Sequence, residues 1–274
     1  MKTVLLADGL EVPALGQGTW KMGEGEHDRA AEIAALRLGI DLGMTLVDTA
    51  EMYGEGAAEE VVGQAIAGER ERVFVVSKVY PHNATRRGLP EACARSLKRL
   101  RIETIDLYLL HWRGRTPLSE TVEAFEKLQS EGKIRRWGVS NFDVFDLKEL
   151  DRPDCVANQV LYNLEVRGIE FDLLPWSRQQ QLPTMAYSPV GQGGDLLRHP
   201  TLVAVARRHE STPAQVALAW VLRQPQLIAI PKAAELKHVR ENAAAADLLL
   251  NEEDLAELDA AFPPPTKKQP LGML

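Results

Sequence analysis

A carboxylate, a phenol, an ammonium and an imidazole stand at the ends of successive apolar runs in the first half of the chain: Asp48, Tyr53, Lys78 and His111. Thr45, Leu46 and Val47 form a short β-branched and apolar run, the composition of a buried strand, which leads directly into Asp48. Tyr53 follows within one turn of chain, before Gly54 and Gly56 break regular structure. Lys78 comes just after Val73 to Val76, and His111 just after Ile105 to Leu110. A phenol with an ordinary pKa of about 10 is a poor proton donor near neutral pH, but a neighbouring ammonium favours the phenolate and lowers that value. Lys78 is suited to this, Asp48 to keeping Lys78 charged in a poorly solvated pocket, and His111 to orienting a substrate oxygen. Taken singly, each has an ordinary explanation: a turn cap, a half-buried aromatic, a surface charge, a satisfied structural imidazole. General acid chemistry requires that the fold bring all four together.

The elements that must do so alternate along the chain. Thr3 to Leu6 and Glu11 to Pro13 flank Asp8-Gly9, a turn dipeptide, and predict an N-terminal β-hairpin lid over residues 1–13. Strands are then expected at Ala14 to Trp20, Thr45 to Val47, Val73 to Val76, Ile105 to Leu110, Arg135 to Val139, Cys155 to Gln159, Thr184 to Tyr187 and Leu227 to Ile230. Helices are expected between them: a run capped by Asp28 with Ile33, Ala34, Leu36, Leu38 and Ile40 on its buried face, then Ala57 to Ala67, Thr85 to Leu100, Glu120 to Glu131 closed by Gly132, Asp143 to Leu150 and Phe171 to Gln181. Helices at Leu202 to Glu210, Ala214 to Arg223, Glu235 to Ala245 and Glu252 to Phe262, the last capped by Asn251, complete the pattern. Near-continuous apolar strands that alternate with helices predict an α/β fold, a (β/α)₈ TIM barrel. In such a barrel the strand ends share one rim, which makes neighbours of Asp48, Tyr53, Lys78 and His111. An open doubly wound sheet fits less well, because Gly16-Gln17-Gly18 and Gly23-Glu24-Gly25 do not meet the G-x-G-x-x-G spacing at a strand-to-helix junction.

Composition narrows the classes further. A chain of 274 residues, 45% hydrophobic and without a linker, is expected to form one domain over residues 1–274, with a tail, 263–274, starting at Pro263-Pro264-Pro265. A net charge of -7 leaves no basic footprint for nucleic acid. The two cysteines, Cys93 and Cys155, are too few for a disulfide scaffold and lack metal-ligand spacing; no metal is expected. With no signal peptide and no apolar run long enough to span a bilayer, the expectation is a soluble cytoplasmic protein without membrane partners.

GQGTW at Gly16 to Trp20, DTAEMYG at Asp48 to Gly54, VSKVY at Val76 to Tyr80, LYLLHW at Leu107 to Trp112, GKIRRWGVSN at Gly132 to Asn141, NQVLYN at Asn158 to Asn163, AYSPVG at Ala186 to Gly191 and IPKAAELKHVREN at Ile230 to Asn242 follow in order along the chain. On these motifs the sequence resembles the aldo-keto reductase superfamily over nearly its full length, and within it bacterial methylglyoxal and aldehyde reductases of the YeaE type. The resemblance implies a catalytic tetrad of Asp48, Tyr53, Lys78 and His111, with Tyr53 as proton donor to a small carbonyl substrate that takes hydride from NADPH, NADH being possible. It further implies cofactor contacts at Gly18, Thr19 and Asp48. Ser140, Asn141 and Gln159 match the positions that hold the carboxamide, and Tyr187 the aromatic on which the nicotinamide stacks. Ser188, Pro189, Val190 and Gly191 match the pyrophosphate loop, Lys232 the cation that meets the 2'-phosphate, and Glu241 with Asn242 the adenine contacts. Trp20 and Trp112, with Tyr53 and His111, are expected to face the substrate.

Two positions depart from the pattern. Ala233 stands where a hydroxyl residue usually follows the phosphate lysine, and His238 where an arginine is usual. A histidine replaces an arginine fork only when protonated, so the preference for NADPH should weaken as His238 loses its proton. A monomer is the expected state. Two other readings compete: a cofactor-binding redox sensor or regulatory barrel with low turnover, and a metal-assisted isomerase or hydrolase, which would need more carboxylates or histidines at strand ends than Asp48 and His111.

Overall fold

A computed structural model describes all 274 residues, Met1–Leu274. A hairpin of β1 (Thr3–Leu5) and β2 (Glu11–Pro13) precedes eight parallel strands: β3 (Gln17–Gly18), β4 (Leu46–Asp48), β5 (Phe74–Val79), β6 (Leu107–Leu110), β7 (Trp137–Ser140), β8 (Cys155–Leu161), β9 (Thr184–Tyr187) and β10 (Leu227–Ala229). Around them lie α1 (Arg29–Asp41), α2 (Ala57–Ala65), α3 (Gly88–Leu100), α4 (Leu118–Ser130), α5 (Val144–Leu150), α6 (Leu173–Gln179), α7 (Pro200–Arg208), α8 (Pro213–Leu222), α9 (Leu236–Ala244) and α10 (Glu252–Ala261). The strands lie side by side in chain order, and the ring closes where Gly16 N donates to Ala229 O at 2.9 Å, Gly18 N to Pro231 O at 3.0 Å and Ala229 N to Ala14 O at 2.8 Å. A Cβ on Gly18 would sit 2.7 Å from Ile230 O, so this seam requires a glycine. This is the (β/α)₈ barrel.

Parity along each strand builds the interior. Side chains alternate between the two faces of a strand, except where β8 shifts register against β7 between Cys155 and Asn158 and both Val156 and Ala157 join the interior. Leu46, Val76, Leu107, Leu109, Val156, Ala157, Met185, Ile228 and Ile230 share one buried cluster with the hairpin residues Val4, Leu6, Val12 and Ala14, whereas Val47, Val75, Tyr108, Val139 and Ala186 belong to the larger cluster with the helices. The hairpin therefore plugs one end of the barrel from inside, helped by Ala7 N donating to Val156 O at 3.4 Å and by an ion pair of Asp8 with Arg136. Two residues beyond the interior Leu46, Val76 and Leu109 come Asp48, Lys78 and His111, and the same parity turns all three inward at the opposite end.

Local sequence explains several helix ends. Asp28 accepts from Ala31 N at 3.3 Å, and Asp143, Thr212 and Asn251 each form a capping box. Gly132, at φ +69°, follows α4 as expected.

Several boundaries differ from expectation. Only Gln17–Gly18 of Ala14 to Trp20 is a regular strand, because the segment divides its hydrogen bonds between β4 and β10. β5 runs past Val76 to Val79, so Lys78 lies inside the strand, paired in register with Leu109. α3 begins at Gly88, since the Thr85 hydroxyl accepts from Gly88 N at 2.9 Å ahead of it. The buried face of α1 is Glu32, Ala35, Leu36, Gly39 and Ile40; Ile33 and Leu38 are half-buried and Ala34 is exposed. No helix is long and apolar enough to cross a membrane.

Candidate active site

Lys78 is the centre of the rim. Its side chain has no solvent exposure, and its ammonium donates to Asp48 Oδ2 at 2.7 Å, to Thr49 O at 2.9 Å and to Tyr53 Oη at 3.1 Å. An ammonium has three donors and no acceptor, so Lys78 is fully engaged and Tyr53 can only accept from it. The Tyr53 proton is thereby left for another acceptor. Asp48 is held from its other side by Gln159 Nε2, which donates to Oδ1 at 2.8 Å, and the Thr19 hydroxyl donates to Asp48 O at 2.9 Å. The four expected residues do meet: the Tyr53 and His111 rings are 5.9 Å apart, nearly perpendicular, and the Lys78 ammonium lies 4.8 Å from the Tyr53 ring centre.

Burial dominates the electrostatics. It pushes the Asp48 carboxyl up, more than Lys78 and Gln159 pull it down. It pushes Lys78 down, but Asp48 and Tyr53 outweigh it, and the ammonium holds its proton more firmly than an ordinary lysine. His111 is driven down to about 2 by burial and by the Lys78 charge, so it is neutral at any working pH. Its Nδ1 is buried with no hydrogen-bond partner. Tyr53 departs from the sequence expectation. Burial raises its pKa, and the Asp48 charge adds to that, against the opposing pull of Lys78, so the phenol stays protonated instead of being brought toward neutrality.

A cavity of about 760 Å³ opens above this cluster. Asp48, Tyr53 and His111 line it; Lys78 lies beneath, out of reach of solvent. Trp20 and Trp112 are half-buried in its wall, Trp112 meeting His111 at 4.9 Å and Tyr80 edge-on at 5.9 Å. Gly18, Thr19, Ser140, Asn141, Gln159, Tyr187, Ser188, Pro189, Val190, Lys232, His238, Glu241 and Asn242 also line it. Gly191 and Ala233 do not: Gly191, at φ +59°, turns the loop beside Leu196 and Glu165, and Ala233 packs on the core. Asn141 and Ser188, at the ends of β7 and β9, both hold left-handed backbone, with φ of 58° and 47°, the strain that accumulates where side chains must be aimed. Asn141 Nδ2 donates to His111 O at 3.1 Å, and the Tyr187 hydroxyl donates to Asn141 Oδ1 at 3.0 Å, which links three strand ends. Lys232 has no carboxylate within ion-pair distance.

Other lining residues were not anticipated. Lys21, Glu26 and Met52 extend the motifs that were, while Thr212, Pro213 and Ala214 bring the start of α8 to the wall. Met273 and Leu274 line it as well. The tail supplies these two: Lys268 pairs with Asp172 at 3.0 Å and Asp143 at 3.6 Å, seating 263–274 against the barrel so that its end reaches the cavity. In the sequence, the adjacent motifs marked the first group; nothing marked the tail.

Comparison with known proteins gives the chain's family. The profile of the aldo/keto reductase family matches residues 14–262. Methylglyoxal reductase YeaE of Escherichia coli (strain K12) is 51% identical, with 100% of this chain and 99% of that protein covered. Glyoxal reductase of Bacillus subtilis (strain 168) is 36% identical, over 94% of this chain and 92% of its own. An aldo/keto reductase from Klebsiella pneumoniae, crystallised with NADP and acetate, superposes with a TM-score of 0.97 at 54% identity, covering 100% of this chain and 99% of its own. A second crystal structure from that organism, equally similar, is a complex with NADPH.

Proposed function

Since the chain belongs to the aldo/keto reductase family, we propose that it reduces small aldehydes and ketones with NADPH, Tyr53 giving the proton. The observation that carries this reading is the Tyr53 hydroxyl at the cavity wall: it accepts from a fully engaged Lys78 at 3.1 Å, stays protonated, and stands beside a neutral His111. Bound NADPH supplies the hydride; the chain supplies position, proton and field. As the Tyr53 proton leaves, negative charge grows on an oxygen already in hydrogen-bond contact with a buried ammonium, so the Lys78 contact strengthens most in the transition state. Asp48, held on both oxygens, keeps that ammonium charged. His111, a neutral imidazole with no imidazolium proton to surrender near neutral pH, can orient the carbonyl oxygen by donating its remaining ring N–H without competing as an acid.

The cavity suits the cofactor. Ser140, Asn141 and Gln159 combine donors and acceptors for a carboxamide, and Tyr187 offers a ring face. Ser188, Pro189 and Val190 present the loop for the pyrophosphate, with Gly191 acting through its backbone turn. Lys232, free of any carboxylate, meets the 2'-phosphate; His238 adds to it when protonated, and Glu241 and Asn242 hold the adenine. Gly18 and Thr19 complete the seam beside Asp48. Trp20 and Trp112 wall the substrate end, and similarity to a methylglyoxal reductase and a glyoxal reductase favours short dicarbonyls as substrates. Two buried free thiols suit a reducing compartment, the cytoplasm.

Mixing the protein with NADPH and methylglyoxal and following the loss of NADPH absorbance tests this. Turnover is expected. Tight NADPH binding without oxidation by any member of an aldehyde and ketone panel would overturn it in favour of a sensor.

A further inference from the structure

Glu51 is the one buried acid of the DTAEMYG segment outside the tetrad, and only about 6% of it is exposed. Its Oε1 accepts from Tyr80 N at 2.8 Å and from Asn83 Nδ2 at 3.0 Å, its Oε2 lies 3.5 Å from Arg95, and its own N–H donates to Lys78 O at 3.3 Å. One carboxylate thus ties the loop that carries Tyr53 to the end of β5, which carries Lys78, and to the turn that follows. Tyr80, whose amide it holds, packs edge-on against Trp112 at the cavity wall.

We infer that Glu51 is a positioning residue: it fixes the separation of Tyr53 from Lys78 and, through Tyr80, the seat of Trp112. This rests on the reductase reading above. Glu51 does not line the cavity, so its effect is geometric. The physical case is that Met52, Tyr53 and the 3₁₀ turn to Gly56 include backbone that no regular strand or helix restrains, Gly54 and Glu55 both having positive φ. Without the carboxylate, Tyr80 N and Asn83 lose their acceptor, and past the Thr49 N to Val76 O bond the loop backbone is held to the end of β5 only by the long Glu51 N to Lys78 O bond and by the Lys78 ammonium itself, whose distance to Tyr53 is the quantity at stake. Small errors in the placement of a proton donor cost rate steeply, up to about a hundredfold for 1 Å.

The test compares Glu51→Leu, Glu51→Gln and Asn83→Ala with the parent protein. Glu51→Leu should lower kcat about tenfold or more, leave the NADPH Kd within about twofold, and raise the solvent deuterium isotope effect on kcat as proton transfer becomes limiting. Hydrogen exchange should show the Tyr80 amide losing protection. Glu51→Gln keeps an amide oxygen that can accept both bonds, and should recover most of the rate. Asn83→Ala, which removes one donor and leaves the charge in place, should move kcat and the isotope effect the same way by about threefold, and decides the matter should Glu51→Leu fail to fold. Parental kcat and isotope effect in Glu51→Leu, or no rescue by Glu51→Gln, would overturn the inference. The parent protein's own turnover tests the reductase reading separately, and its absence would sink both.

Discussion

Tyr53 accepts a hydrogen bond from Lys78 at 3.1 Å while Lys78 spends its remaining donors on Asp48 and Thr49. Direction matters here, because it leaves the phenolic proton uncommitted and the phenolate supported. Tyr53→Phe removes the proton and keeps the ring. We expect kcat for carbonyl reduction to fall about 10²–10⁴-fold, the usual worth of a positioned acid, with the NADPH Kd unchanged in a fluorescence titration. Retained turnover would take the acid role away from Tyr53.

The same ammonium sets a stability test. Asp48→Ala strands a fully buried charge, at a cost of about 3–5 kcal/mol, and should lower the Tm by on the order of 10 °C in a chain of this size. Asp48→Ala combined with Lys78→Met removes both charges and should recover most of that loss while staying inactive. Thermal unfolding followed by circular dichroism checks this; an unchanged Tm in the single variant would mean that the ammonium does not depend on its carboxylate.

His111 carries a pH signature of known sign. Its folded pKa is lowered, to about 2, so below the unfolded value of about 6.5 only the unfolded chain takes up the proton. Stability must therefore fall as pH drops through that window, by up to ~1.4 kcal/mol per pH unit, and be unaffected by this residue above it. Denaturant unfolding at a series of pH values from 7 to about 4 should show His111→Asn with a shallower slope than the parent. Equal slopes would refute a neutral, buried imidazole.

Cofactor choice can be shifted at the far end of the cavity. Lys232→Met should weaken NADPH about tenfold, the worth of a hydrogen bond to a charged group, and leave NADH nearly untouched. His238→Arg restores a fork geometry and should tighten NADPH by a similar factor. Titrating both cofactors against both variants measures the ratio directly; a parallel loss of NADH in Lys232→Met would place that lysine elsewhere than on the 2'-phosphate.

Much of the barrel is legible because period-2 parity is written in the strands. Leu46 before Asp48, Val76 before Lys78 and Leu109 before His111 show that the polar residues continue an inward-facing row, and the Asp143 and Asn251 caps announce their helices. What cannot be read this way depends on contacts between distant parts of the chain. The seat of the tail depends on Lys268 meeting Asp143 and Asp172, and the role of Glu51 on a turn some thirty residues later. The rise in the Tyr53 pKa follows from the degree of burial, which a list of neighbouring residue types does not contain.

Val4, Leu6 and Val12 stopper the barrel from below, so it has a single mouth. If Tyr53 is the proton donor, as proposed, the water that restores its proton comes down the same well that admits the carbonyl, and an alcohol still sitting there blocks the refill. Chemistry and traffic share one doorway, which makes the width of that doorway, set by Trp20, Trp112 and the seated end of the tail, a lever on turnover as well as on choice of substrate.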